Sequence, residues 1–262
     1  MAYKKLKYWF DKDLAMLLAD KLVAIDPTFN TTSFIQNIEG QLDTLELKDR
    51  VEAFADELYH SYDTNYSNGL SKLVAILGPE IKSETGMFST YYWIMPIAKY
   101  VEKYGLHDFT ISIKAIEEIT KRNTGEYAIR PYITNHKDKT LEYIKRWSTS
   151  SNFHLRRLAS EGVRPRLPWA KKLDVFIENP RPIIPILNTM KDDPSRYVQK
   201  SVANCLNDIL KDNFDIGKEI IEQWNHADIG KERKWIIKHA LRNFIKSEDT
   251  WALSIINNKT NV

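Results

Sequence analysis

The sequence predicts an all-α fold, a solenoid of stacked helical pairs, and three observations carry that prediction. Glycine is scarce, at 9 of 262 residues, and runs that alternate apolar and polar residues are nearly absent, which disfavours sheets. Several stretches instead place apolar residues at the spacing of an amphipathic helix. Finally, Ala159, Ala203 and Ala240 recur in such stretches 44 and 37 residues apart, close to the ~40 to 47 residues of a HEAT repeat, whose two helices bury their faces only by stacking on neighbours.

Taken in order, residues 13–25, 32–43, 47–64, 70–77, 92–104 and 108–121 are predicted as the shorter helices of the N-terminal half, punctuated by Gly69, Gly78-Pro79, Gly86 and Gly105. In 153–162, Leu155, Leu158 and Ala159 share one stripe. In 192–211, Val198, Val202, Leu206, Ile209 and Leu210 form the apolar face, with Lys200, Asn204, Asp208 and Lys211 off it. Asp193 is the expected N-cap of that helix and Pro194 its first residue, where a missing N–H costs nothing. The run Asp193-Pro-Ser-Arg-Tyr-Val-Gln-Lys-Ser-Val-Ala203 resembles the second-helix signature of HEAT repeats. A last stretch, 233–245, aligns Trp235, Ile236, Ala240, Leu241 and Phe244. No Pro- or Ser-rich spacer interrupts the chain, so one domain over 1–262 is expected, with acidic helices in 1–120 and the repeats in 121–262.

Composition narrows the setting. A single cysteine, Cys205, makes neither an intrachain disulfide nor a Cys-rich zinc site, which suits a reducing cytoplasm. Lys4, Lys5 and Lys7 are followed by Asp11, Lys12 and Asp13 before any apolar run long enough for a signal peptide, and no stretch approaches the ~20 apolar residues of a membrane helix.

The net charge of +3 hides an asymmetry. Residues 1–120 hold 12 basic and 18 acidic groups, whereas residues 121–172 hold 13 basic and 4 acidic, a local charge of +9. Such a block suits a polyphosphate partner, with a solvated basic surface as the alternative.

Several chemistries are missing. Neither G-x-x-x-x-G-K-[ST] nor G-x-G-x-x-G occurs, there is no H-E-x-x-H and no His pair at i,i+4, and G-x-S-x-G is absent. Cys205 lies on the apolar side of its helix, as a buried hydrophobe would. Any catalysis falls to carboxylates.

Within the basic block, Arg157 and Glu161 lie on one helical face and can pair; the alternative role is a surface ion pair worth ~0 to 1 kcal/mol. Val163-Arg-Pro-Arg-Leu-Pro-Trp169 carries two prolines that forbid a helix and favour an extended strap with two guanidiniums and an indole, suited to a phosphate backbone and a sugar or base face. Burial in the core is the alternative for Trp169. Glu126 lies four residues before Arg130, where a helix N-terminal carboxylate is the alternative reading; Asp208 shares a small polar stripe with Ser201 and Asn204, where a solvated face is the alternative.

At these residues the chain resembles the AlkC family of bacterial DNA alkylation-repair glycosylases, part of the wider HEAT-repeat group that includes AlkD. The resemblance covers Leu45-Glu-Leu-Lys-Asp-Arg50, Glu126-Tyr-Ala-Ile-Arg-Pro-Tyr132, Arg156-Arg-Leu-Ala-Ser-Glu-Gly162, Arg164-Pro-Arg-Leu-Pro-Trp169, Ser201-Val-Ala-Asn-Cys-Leu-Asn-Asp208 and His239-Ala-Leu-Arg242. It implies excision of cationic alkylated bases from double-stranded DNA, chiefly N3-methyladenine with N3-methylcytosine beside it, without base flipping, metal or cofactor, by a monomer. Glu161 is then the leading catalytic carboxylate, with Asp208 and Glu126 beside it, Trp169 at the lesion sugar and Arg157 positioning. Arg156, Arg164, Arg166, Lys171, Lys172 and Lys200 are the expected phosphate contacts. Some members carry an immunoglobulin-like C-terminal domain; this chain, ending at Val262, is expected to lack it. A non-catalytic DNA-binding HEAT protein and a protein-binding scaffold are the competing readings, the latter favouring apolar grooves over a basic block.

Overall fold

The computed structural model describes residues 4–84 and 88–257, so Gly86 and Val262 lie outside the described residues. Among those residues the protein is all-helical, without a strand, as the periodicity predicts. None of the described helices is long and apolar enough to cross a membrane. The chain divides into two compact units, 1–132 and 133–262, twelve residues past the step in charge at 120.

The first unit contains α1 (Lys12–Val23), α2 (Thr31–Glu39), α3 (Leu47–His60), α4 (Tyr66–Ala75), α5 (Met95–Tyr104) and α6 (Phe109–Thr120). Asp11 and Asn30 cap α1 and α2 by accepting from the N–H groups of Leu14 and Ser33. Helices α3 and α5 pack together, with Tyr59 stacked on Tyr104 at 3.8 Å between ring centroids. The buried Arg50 guanidinium donates to the carbonyls of Phe10, Leu42 and Leu45 at 2.8 to 3.0 Å and so ties the segment before α1 and the loop before α3 to α3. The acids of α3 are also spent inside the unit: Glu52 and Asp56 both receive Lys103. Helices α1 to α3 end 2 to 4 residues before their predicted limits. After α3 the reason is visible, because Asp63 and Thr64 adopt left-handed φ angles of 52° and 59° that no helix continues.

The second unit contains α7 (Lys137–Trp147), α8 (Phe153–Glu161), α9 (Arg196–Asp212), α10 (Phe214–Trp224), α11 (Lys231–Ala240) and α12 (Thr250–Asn257). Its axis is α9, which packs against α8 on one side and α11 on the other. Val198, Val202, Leu206 and Ile209 are fully buried there, as their spacing predicts. The three alanines mark this stack, one on each of α8, α9 and α11. Polar links cross it too: the Ser160 and Ser201 hydroxyls lie 2.6 Å apart, and Asn207 Nδ2 donates to the Ala240 carbonyl at 2.7 Å. Gly217 lets α10 fold closely onto α9, since a Cβ there would lie 2.7 Å from a Leu210 methyl.

In the second unit, the start of α9 and the end of the last predicted stretch differ from expectation. The N-cap of α9 is Ser195, not Asp193; its hydroxyl accepts the Val198 N–H, while the Asp193 carboxylate accepts the Ser195 N–H at 2.9 Å. The last predicted helix breaks at Leu241 into α11 and a short helix Arg242–Lys246. Helices α7, α10 and α12 fall outside the predicted stretches; the fully buried residues of α7 are only Thr140, Ile144 and Trp147.

Candidate functional site

The second unit brings Glu161 and Asp208 together around one guanidinium. Glu161 closes α8, a position where the helix dipole disfavours a carboxylate, so nearby cations must offset it. The chain turns back at once, the Arg164 N–H donating to the Glu161 carbonyl at 3.2 Å. That turn lays the Arg164 side chain between the acids. Its Nη1 donates to Glu161 Oε1 at 2.8 Å, while Nε and Nη2 donate to Asp208 Oδ2 and Oδ1 at 2.9 and 3.3 Å. Arg157, one turn earlier on α8, holds Nη2 at 3.6 Å from the same Glu161 oxygen, so the predicted pair is present. All three members of the central cluster are buried, Glu161 at 6%, Arg164 at 7% and Asp208 at 8% exposure, so neither a surface pair nor a solvated face describes them.

The two carboxyls are pushed in opposite directions. Burial alone would raise Glu161, but the charges of Arg157 and Arg164, with hydrogen bonds from Ser201 and Arg164, hold it below the usual carboxylate range. At Asp208 burial wins and lifts the carboxyl above its usual range, against the pull of Arg164 and of the Arg166 backbone N–H. The ionised form is therefore favoured at Glu161 relative to an ordinary carboxylate and disfavoured at Asp208.

The segment after Glu161 is helix-free, as its prolines require, but it is a run of turns instead of an extended strap. Ala170 N–H donates to the Leu167 carbonyl at 3.2 Å and Leu173 N–H to the Pro165 carbonyl at 3.0 Å. The cause is burial of Arg164 and Leu167, which fold the segment onto the unit. Trp169 is not a core residue: it is 68% exposed and its φ is +65°, a conformation costly for a bulky side chain.

The expected phosphate contacts divide sharply. Arg156 is bound by Asp193, with Nε–Oδ2 2.6 Å and Nη2–Oδ1 3.1 Å, and also donates to the carbonyls of Ser150 and Ser151. Arg166 is bound by Asp212, Nε lying 2.8 and 2.7 Å from its two carboxylate oxygens. Together with Arg164, then, these guanidiniums already hold carboxylates about one repeat away, Asp208 and Asp212 on α9 and Asp193 just before it. Lys171, Lys172 and Lys200 are exposed. Glu126 lies in the first unit, in a turn preceding the short helix Arg130–Asn135 and not within a helix; it is buried and accepts the Thr124 hydroxyl at 3.0 Å.

The sequence did hold a signal for the role of Arg164. Arg156–Asp193, Arg164–Asp208 and Arg166–Asp212 are 37, 44 and 46 residues apart, about one repeat each, and the 44 of Arg164–Asp208 equals that of Ala159–Ala203. Groups one repeat apart on stacked helices are neighbours.

Comparison with known proteins gives consistent results. A family model described as DNA alkylation repair enzyme matches residues 96–244. The protein YhaZ of Bacillus subtilis (strain 168) is 35% identical over 255 residues, 95% of this chain and 67% of that protein. The solved structure of the Pseudomonas fluorescens alkylpurine DNA glycosylase AlkC, bound to DNA containing an abasic site analog, superposes with a TM-score of 0.87 at 34% identity, covering 97% of this chain and 69% of that one. The chain belongs to the family of DNA alkylation repair enzymes.

Proposed function

We propose that this chain is a DNA glycosylase that excises cationic alkylated bases from duplex DNA, chiefly N3-methyladenine with N3-methylcytosine beside it. The observation that carries this reading is the buried Glu161 carboxylate, kept ionised by Arg157 and Arg164 and set beside Asp208. The likeness to a glycosylase solved on abasic-site DNA supports it.

The chemistry follows from what each group offers. Methylation of a ring nitrogen makes the base cationic, so it departs without a strong general acid. The C1′–N bond breaks, its electron pair neutralises the base, and the deoxyribose takes on positive charge. An ionised carboxylate aimed at that sugar stabilises the oxocarbenium-like state. A water molecule then forms the C1′–O bond and gives its proton to a carboxylate, leaving an abasic site. Glu161 is assigned the charge stabilisation and Asp208 the orientation of water. Glu126 is retained as a further carboxylate from the first unit. Arg157 and Arg164 position Glu161. Trp169 presents an indole face to the lesion sugar, which allows approach through the backbone without flipping the base. Lys171, Lys172 and Lys200 remain phosphate contacts.

The direct test is chromatography of bases released from methylated genomic DNA. Release of free N3-methyladenine is expected; none, with duplex binding intact, would favour the non-catalytic DNA-binding reading. A second expectation concerns Trp169→Ala. Because the indole is mostly exposed and its backbone strained, unfolding free energy in urea should stay within about 1 kcal/mol of the wild type. Single-turnover excision should nonetheless fall about tenfold or more, the scale of one lost stacking contact. Equal rates would remove Trp169 from the site.

A further inference from the structure

If Arg156, Arg164 and Arg166 are spent on carboxylates, duplex DNA needs other cations, and the structure gathers some beside the same site. A shallow hollow of about 250 Å³ is lined by Trp235, Lys238, His239, Arg242 and Ile245. Its floor is a stack of flat groups: the Trp235 and His239 rings lie 4.6 Å apart and 10° from parallel, and the Arg196 guanidinium sits 4.1 Å from the Trp235 ring centre. Arg242, Lys200 and Arg196 all act on the His239 imidazole, which burial and those three charges hold below the usual histidine range, so the ring is neutral at pH 7. Arg242 also feels the charges of Arg164 and Asp208, and its helix follows α11, which packs against the α9 that carries Asp208. Among the described residues, none of Arg196, Lys200, Lys238 and Arg242 forms an ion pair with an acid; Arg242 donates only to the His239 carbonyl, at 2.8 Å. The His239-Ala-Leu-Arg242 block thus supplies both an aromatic wall and an uncommitted guanidinium.

We propose that this hollow seats a backbone phosphodiester of duplex DNA, with Lys200, Lys238 and Arg242 on the phosphate and the Trp235–His239 stack against the adjoining sugar. Cations without carboxylate partners release counterions on binding, whereas bidentate pairs such as Arg166–Asp212 have no free charge to offer. The proposal rests on the glycosylase reading for its ligand.

The test is the salt dependence of binding to a fluorescently labelled random duplex, followed by anisotropy. Each phosphate contact contributes about 0.9 to the slope of log affinity against log salt. Lys200→Gln/Lys238→Gln changes two exposed side chains, so folding is not at stake; Arg242→Gln is measured separately. Lys145→Gln/Arg146→Gln removes the same net charge from exposed positions on α7. The expected result is a slope reduced by about 1 to 2 in the Lys200/Lys238 variant and by about 1 in the Arg242 variant, with the α7 control close to wild type. An unchanged slope in both hollow variants, or an equal drop in the control, overturns the seat while leaving excision by the wild type as evidence for the enzyme. A wild type that fails to bind duplex overturns both.

Discussion

Arg164→Leu is expected to cost about 3 to 5 kcal/mol of stability at pH 7, far more than the loss of a surface charge. The guanidinium serves two buried acids, and removing one member of a buried ionic network leaves uncompensated charge behind. Glu161 would keep Arg157, at 3.6 Å, and the Ser201 hydroxyl, and Asp208 the Arg166 backbone N–H. The pH dependence identifies the cause. In the wild type Glu161 lies below its usual pKa of 4.5, so its contribution is present above that value and fades as pH falls through the folded-state pKa. In the variant both carboxyls would rise above their unfolded values, so stability would be lost as pH rises through those raised pKa values and regained on acidification. The two stability curves should therefore converge from pH 7 toward about pH 4. Urea unfolding at several pH values checks this, and adding Glu161→Gln and Asp208→Asn to Arg164→Leu should recover most of the loss at pH 7. A deficit of equal size at every pH would assign the effect to packing alone.

How far the molecule was legible in its sequence depends on the range of the interaction concerned. The apolar stripe of α9, the break at Pro165 and Pro168, the burial of Cys205 and the Arg157–Glu161 pair are all local patterns, and each is found in the structure. Helix α7 has a narrow stripe, Thr140, Ile144 and Trp147 at helical spacing amid charged residues, and is found only in the structure. The electrostatics are less local. The window of 52 residues carries a charge of +9, yet Asp193, Asp208 and Asp212, all outside that window, pair with three of its arginines from about one repeat away. Charge counted along the chain overstates charge on the surface wherever stacked repeats exchange ion pairs. The same point applies to Arg164, expected on phosphate from its proline-containing segment and found bridging the two carboxylates of the cluster. Trp169 was open to two readings, because an indole directly after Pro168 fits a core or a surface, and only its backbone angle and exposure separate them.

The largest expected effect on activity belongs to Glu161→Gln. Glutamine keeps the shape and can still accept from Arg164, so the cluster should hold, but it removes the negative charge that would face the developing sugar cation. Loss of one such preorganised electrostatic contact costs about 10² to 10³ in rate. The wild type carries a pH signature of the same group. Since Arg157 and Arg164 keep the Glu161 carboxyl below its ordinary range, wild-type excision should remain level as pH is lowered from 7 to about 5, with the fall displaced to more acidic conditions. The most direct measurement is single-turnover release of free N3-methyladenine from a duplex bearing one lesion, wild type beside Glu161→Gln, with binding and urea stability recorded for both. The expected result is comparable binding, a folded variant less stable at pH 7 by the contribution of the lost Glu161 charge, and release slower by about 10² to 10³ in the variant. Release at the wild-type rate by Glu161→Gln would contradict the assignment of the chemistry to this carboxylate.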